Sequence, residues 1–489
     1  MDSLIKKKLI TYGIISGVLY PVLVKLLYPG IGTPLFAVIQ TILLYYLTKN
    51  REEIINKKAL LMLIPIFILS LNYFISDSTI FNISNLLAIF ILYSTMVLLL
   101  TDKLELKKQG IKFINNIVIT MFKPLMHFNI PVKWYIEKRK PLKNNVLIKK
   151  IIIGISISVP LLILVCSLMM NADLVFKNTV DNIFGALRLD IDVMFIYKLI
   201  IGILAGFYLF SLFYIVFYRY DEDNADPQGS LPAPIIKIEL DALILNIILS
   251  SMVFVYTIFV LIQFRYLFAG ASLPNDLSYA EYARRGFFEL LFLSFINIAL
   301  ILFTVYFTRE KTYDKNNRYA AITKGLMIYL CVITVILLIS SFYRMVLYNS
   351  EFGLTRLRIL VIIFLMFEFI GLALTFCYII KPKFNIIAVY SVICLIFYLT
   401  INMINIDYII AKRNVDMCLS QGSTDYYYLS YLSADAAPQI KRLLNSENRE
   451  ASQTAEDYFK RIQFKFKDSK KWQSFNLSRY LGAKGSNIE

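Results

Sequence analysis

The sequence predicts an all-α fold: a polytopic α-helical integral membrane protein of about eleven spans, with a small C-terminal helical extracytoplasmic domain. Three observations carry this prediction. The 489-residue chain is 58% hydrophobic with a mean hydropathy of +0.63, against about 45–50% apolar residues in an ordinary soluble domain. Apolar runs of about 20 residues, long enough to cross the hydrocarbon layer as helices, recur along its length. The charged residues, 17% of the total, gather between those runs instead of being interspersed.

A net charge of +17 in a soluble chain would suggest nucleic acid. Here the basic residues sit in short connectors, so the expected partner is a lipid bilayer with anionic lipids, and no nucleic acid. Of five cysteines, Cys166, Cys331, Cys377 and Cys394 fall inside expected spans and only Cys418 lies outside, which rules out a disulfide framework. With one histidine, His127, and no CxxC, HExxH or Walker-type pattern, neither a metal site nor a cofactor is expected.

In chain order, spans are expected at 9–28, 33–48, 59–76, 83–100, 148–170, 193–217, 238–262, 286–307, 321–342, 359–380 and 385–404. The first follows Lys6, Lys7 and Lys8 and is too long for a signal peptide, so it reads as an uncleaved span. The second is short. Between the fourth and fifth, the very basic segment 101–150 carries an interface-lying helix, Gly110–Phe128, followed by the basic run WYIEKRKPLKNN. Residues Leu174–Leu187 suggest a second surface helix, and DEDNADPQGSLPAP (221–234) is a Pro-rich linker.

Lysine and arginine placement puts the N-terminus in the cytoplasm, because Lys49, Arg51, Lys57, Lys58, Arg309, Lys311, Lys381 and Lys383 then fall inside. The connectors 77–82 and 171–192, rich in Asp, then fall outside, as does the tail after residue 404. Three modules result: a four-span N-terminal module (1–147), a seven-span core (148–404), and an extracytoplasmic tail (405–489) docked on the core.

Two outer connectors break the charge rule. In SLPNDLSYAEYARRGFFEL (272–290), Ser278 and Glu281 have capping-box spacing, and Glu281, Arg285 and Glu289 share one helix face. In YRMVLYNSEFGLTRLR (343–358), Gly353 ends one helix and Thr355 caps the next. Arg356 and Arg358 then occupy a first helical turn, where exposed N–H groups repel cations, so an anion is expected among them. The candidate anion or lipid-headgroup site is therefore Arg284, Arg285, Arg344, Arg356 and Arg358, with Glu281, Glu289, Glu351, Asp407 and Asp425 as paired acids. Pairing among these residues alone, with no ligand, is the other reading of the same pattern. Glu368, about 15 Å along its helix from Arg358, falls near the bilayer midplane and is a candidate proton site.

In the tail, Asp407, Asp416 and Asp425 flank an aromatic run, Ser433 is expected to cap a helix through Leu444, and Ala451–Phe466 reads as an amphipathic helix. YARRGFFEL, RMVLYNSEFGLTRLR, NIDYIIAKRN and DYYYLSYLSADAAP, in this order, resemble bacterial membrane proteins of the domain-of-unknown-function 4173 type, related to the 4153 type. The resemblance covers roughly 150–489, leaves the first four spans as a variable N-terminal part, and implies a polytopic membrane protein without implying an activity.

Three functions fit. The first is a non-enzymatic transport, sensing or envelope-assembly component of the cell membrane, with an outer vestibule for an anionic solute or lipid headgroup. The second is an enzyme acting on a lipid-linked phosphate, with Glu289 or Asp407 as base and the arginines as clamp. The third is a structural scaffold.

Overall fold

The computed structural model describes residues 3–25, 27–49, 56–100, 121–137, 193–216, 242–267, 287–308, 318–382, 384–421, 426–469 and 471–485. Among these residues the secondary structure is entirely helical. Helices α1 (Ser3–Leu23), α2 (Gly32–Thr48), α3 (Leu63–Ile75, preceded by the 3-10 turn Lys57–Met62) and α4 (Asn82–Leu100) follow the first four expected runs. A short α5 (Ile130–Glu137) precedes α6 (Val193–Tyr214), α7 (Ala242–Leu267), α8 (Phe287–Thr308), α9 (Arg318–Phe352), α10 (Arg356–Ile380) and α11 (Ile386–Met403). The expected span 148–170, the surface helix 174–187 and the linker 221–234 lie outside the described residues, as does most of the interfacial helix 110–128.

Among the described residues, six helices are long and apolar enough to cross a membrane: Lys57–Ile75, Tyr197–Tyr214, Leu243–Leu261, Arg318–Phe352, Arg356–Ile380 and Ile386–Met403. Gly32–Thr48, Asn82–Val97 and Leu290–Val305 are apolar but shorter. Large apolar side chains such as Phe254, Leu261 and Ile396 are exposed on these helices, as expected where lipid replaces water as the solvent.

One core joins α1–α4 to α6, around Leu9, Tyr12, Leu69, Met96 and Phe213. It draws α6, which the sequence assigns to the second module, onto the first. The contact is glycine against glycine: Gly13 and Gly17 of α1 face Gly202 and Gly206 of α6. A Cβ on Gly17 would stand 2.7 Å from the Gly202 carbonyl oxygen, and one on Gly206 would stand 2.6 Å from that of Gly13. Small residues four apart allow two backbones this close, and in lipid such packing drives helix association. A second core unites α7, α8, α9 and α10 around Met327, Leu330, Leu337 and Leu365. Helix α11 bridges the two: on α4, Asn85 Oδ1 accepts from Tyr398 (2.6 Å) and Asn85 donates to Asn402 Oδ1 (2.7 Å), while Tyr390 donates to the Gly371 carbonyl of α10 (2.6 Å).

The third core belongs to the tail. Helix α12 (Ile406–Gln421), the short helices α13 (Tyr426–Ser430) and α14 (Ala437–Ile440), then α15 (Arg449–Asp468) and α16 (Leu477–Lys484) pack around Ile410, Leu429, Tyr458 and Phe459. Asn448 caps α15, and Ala451, Ala455, Tyr458, Phe459 and Ile462 form its buried stripe. The continuous helix expected from Ser433 to Leu444 is replaced by a succession of short pieces: a 3-10 turn (Ala434–Ala436), α14, and a second 3-10 turn (Lys441–Leu443). The Ser433 side chain makes no cap bond there and donates instead to Asp435 Oδ2 at 3.2 Å.

Replacing Gly17 with Leu is expected to force α1 and α6 apart at a cost of about 1–3 kcal/mol. Gly325→Ala in α9, where an added Cβ meets nothing within 4 Å, should instead be neutral or raise stability by about 0.5–1 kcal/mol. Thermal unfolding of the two variants in detergent checks both directions.

Candidate functional site

The link between α9 and α10 is three residues long and built around Gly353, whose φ of +71° lies in the left-handed region open to glycine. A Cβ there would also meet Asn414 Oδ1 at 2.8 Å. That amide clamps the turn: Asn414 Oδ1 accepts from the Leu354 N–H (2.8 Å), and its Nδ2 donates to the Leu354 carbonyl (2.9 Å). Thr355 caps α10 by accepting from the Arg358 N–H (3.4 Å). Both the stop and the start match the sequence.

The anion that the arginines require comes from the chain itself. Arg356 addresses Asp407 through a two-pronged fork, Nε to Oδ1 at 2.8 Å and Nη2 to Oδ2 at 2.5 Å. Asp407 is fully buried and also accepts from the Ser433 N–H at 2.9 Å. The Arg356 N–H, one of the open donors of the first turn, goes to the Tyr428 hydroxyl at 2.8 Å. Burial pushes the Asp407 carboxyl up, but the hydrogen bond and charge of Arg356 and the bonds to Ser433 outweigh it and hold the group below its ordinary value.

Arg358 reaches the other way. Its Nη1 donates to the carbonyls of Phe352 (3.1 Å) and Gly353 (2.7 Å), its Nη2 donates to the Tyr348 hydroxyl (2.9 Å), and the guanidinium lies 4.1 Å from the Tyr348 ring. A cation in the first turn of α10 therefore acts at the C-terminus of α9, where positive charge is favoured. Arg344 is buried on α9, whereas Glu351 is exposed in its last turn. Glu281, Arg284, Arg285, Asp425 and the Ser278 cap lie outside the described residues, and Glu289 falls in the first turn of α8.

A second cluster of charge was not singled out in the sequence. Asp77, just after α3, holds Lys465 Nζ at 2.7 Å and Arg479 Nε at 2.8 Å. Arg479 is 1% exposed and also donates to the Pro29 carbonyl. Asp435 accepts from Ser76 Oγ at 2.6 Å, and Asn476 Nδ2 donates to the carbonyls of Tyr73 (3.0 Å) and Ser76 (2.8 Å). Burial, together with the charge of Asp77, pushes the Asp435 carboxyl up against the bonds from Ser478, Ser76 and the Asp77 N–H. The tail thus grips the α1–α2 link, the α3–α4 link and the α9–α10 link at one end of the helices. The only sequence signal was an acid in one short connector and a polar-rich tail.

Deep in α10, Glu368 is 4% exposed. Its Oε2 accepts from Ser294 Oγ of α8 at 2.8 Å, while Oε1 has no hydrogen-bond partner among the described residues. One turn along α8, Asn297 donates to Thr334 Oγ1 of α9 at 3.2 Å. Ser340 and Ser341 of α9 are fully buried with unpartnered hydroxyls, at the depth that Glu368 has on the other side of the Gly353 turn. Further from the tail, Thr323 of α9 donates to Asn246 Oδ1 of α7 at 2.7 Å. A ladder of buried polar groups thus follows α9 through an otherwise apolar core. No group of three or more His, Cys, Asp or Glu residues suited to a metal occurs among the described residues.

A family model described as a domain of unknown function, DUF4153, matches residues 63–443. The match is to the 4153 type and begins at α3, so α3 and α4 lie in the shared part and not in the variable part expected from the sequence. No curated protein and no solved structure matches the chain.

Arg356→Gln leaves Asp407 buried without its counter-ion, and the loss expected is about 3 kcal/mol. The loosened tail should be cut faster by protease, with Arg356→Gln/Asp407→Asn less impaired than the single change. The contribution of Asp407 is complete above the ordinary carboxylate value of about 4 and is lost as pH falls below it. Acid should therefore speed cleavage of the native protein more than that of Asp407→Asn.

Proposed function

The chain belongs to the DUF4153 family, and from that premise we propose that it is a multi-pass component of the bacterial cell membrane, in transport or sensing, that works through protonation of Glu368. The observation that carries this role is the buried Glu368 carboxyl, bonded on one oxygen and bare on the other. An ionised carboxylate with an unsatisfied oxygen among apolar helices is costly enough that the group holds its proton or exchanges it along a polar route. The hydroxyls and amides of Ser294, Ser341, Asn297 and Thr334 supply that route from neighbouring helices.

Around this core we place eleven spans, a cytoplasmic N-terminus and an extracytoplasmic tail, supported by the lysine and arginine distribution and by apolar helices at the expected positions. The motifs YARRGFFEL and RMVLYNSEFGLTRLR support the 4173 type as the nearer affinity. An external anion at Arg356 would have to displace Asp407 from its fork, and one at Arg358 would have to displace the carbonyls of Phe352 and Gly353, which weighs against an outer anion site at this pair. The same fork argues against Asp407 as the base of a phosphate-transferring enzyme. A scaffold is the second reading, favoured by the engaged charges at Asp77, Lys465 and Arg479.

Carbodiimides attack protonated, membrane-buried carboxyls, so treating intact membranes with one and mapping the adduct tests the role. Glu368 should be modified at neutral pH and protected as the medium is made alkaline. Proteoliposomes carrying Glu368→Gln should lose proton uptake that the native protein supports under an imposed pH gradient. An unmodified Glu368, together with proton uptake equal in both proteins, would leave the scaffold as the surviving interpretation.

A further inference from the structure

The α1–α6 crossing leaves an apolar-lined cavity of about 690 Å³ along its length, within the range of about 300–1,000 Å³ typical of small-molecule pockets. Gly13, Gly17, Gly202 and Gly206 form its floor, and every lining side chain but one is apolar or absent. It runs along α1 from Ile10 to Val22, about 18 Å at the helical rise, slightly more than one leaflet of a hydrocarbon layer about 30 Å thick. The exception is Lys198, in the second turn of α6.

Two further lysines converge at that mouth from distant parts of the chain. Lys25 folds back to donate to the Pro21 carbonyl (2.7 Å) on the rim of the cavity, and it lies within electrostatic reach of Lys198 and Lys471. Lys471 is held there by the tail: the Ile31 N–H donates to the Phe475 carbonyl at 2.9 Å, and Gly32 packs against the Gln473 side chain. Beside it Trp472 is exposed, the placement favoured at a membrane–water boundary. No carboxylate among the described residues forms an ion pair with any of the three lysines. Three like charges held together at the polar end of an apolar groove one leaflet long call for an amphiphile with an anionic head.

We propose that this groove binds an anionic phospholipid of the tail-side leaflet, with one acyl chain along the glycine floor between α1 and α6 and the phosphate head among Lys25, Lys198 and Lys471. The lipid would then clamp the tail loop to the first and sixth helices, adding to the contacts that the tail makes with the α1–α2 link at Pro29–Gly32. The site is separate from Glu368 and does not depend on a proton-linked role.

The test is lipid retention. The full chain is reconstituted in bilayers of mixed phosphatidylglycerol and phosphatidylethanolamine, extracted mildly and weighed by native mass spectrometry. The native protein should keep phosphatidylglycerol in preference to phosphatidylethanolamine. Removing charge with Lys25→Gln, Lys198→Gln and Lys471→Gln should reduce that preference by about fivefold per lysine, while the matching arginine variants retain it. Ile14→Trp, which fills the groove from its exposed side, should release both lipids without unfolding the protein. Equal retention of the two lipids by the native protein, or an unchanged preference in the triple glutamine variant, would overturn the proposal. So would crosslinking of an Ile14→Cys variant to Cys166, which would show the groove filled by the chain's own segment.

Discussion

A guanidinium at the start of α10 meets the positive end of a helix dipole inside a region of low dielectric, and much of the tail-side architecture follows from how that is resolved. Asp407 can reach Arg356 only if α12 lies across the end of α10. Ser433 can add its N–H to the same carboxylate only if the chain after α13 turns back beneath α15. Tyr458 then donates to the Ser433 carbonyl at 2.6 Å, which ties the long amphipathic helix to the same point. The neighbouring arginine is met by dipoles: the Gly353 turn brings the carbonyl end of α9 within reach of Arg358, and the Tyr348 hydroxyl and ring complete its shell.

Polar contacts as well as apolar ones join the three cores. Asn85, Asn402 and Tyr398 stitch α4 to α11, while Asp77, Lys465, Arg479 and Asn476 stitch the α3–α4 link to the tail. In lipid this is physically sensible. Apolar side chains gain little by leaving hydrocarbon for one another, so specificity between helices falls to small residues and to hydrogen bonds that cannot be replaced by solvent. The glycine contact of α1 with α6 and the asparagine contact of α4 with α11 are the two forms of that rule in one molecule.

Much of this was legible in the sequence because it depends on local chemistry. Run length gave the apolar helices, Gly353 and Thr355 marked a stop and a start, and the 3.6-residue stripe of Ala451–Ile462 announced α15. The demand for an anion beside Arg356 was also legible, since it follows from the charge of a helix end. Long-range identity was less so. GIISG in α1 and GILAG in α6 are both visible as strings, but nothing in either says that they face each other. Asp77 and Arg479 lie at opposite ends of the chain, and an aspartate in a short connector reads as a solvated charge. The expected helix from Ser433 failed for a local reason that tertiary contacts enforced: the Ser433 side chain and N–H are claimed by Asp435 and Asp407, and Pro438 starts a new helical segment.

Helix α9 has 35 residues, about 52 Å at the helical rise, whereas the hydrocarbon layer is about 30 Å thick. It touches the Asn246 contact near one end and carries the clamped glycine bend at the other, with no proline along its length. At that length α9 outreaches the hydrocarbon layer by about 22 Å, so a crossing by this helix leaves room for the Gly353 bend and the Asn414 clamp to stand clear of the apolar region.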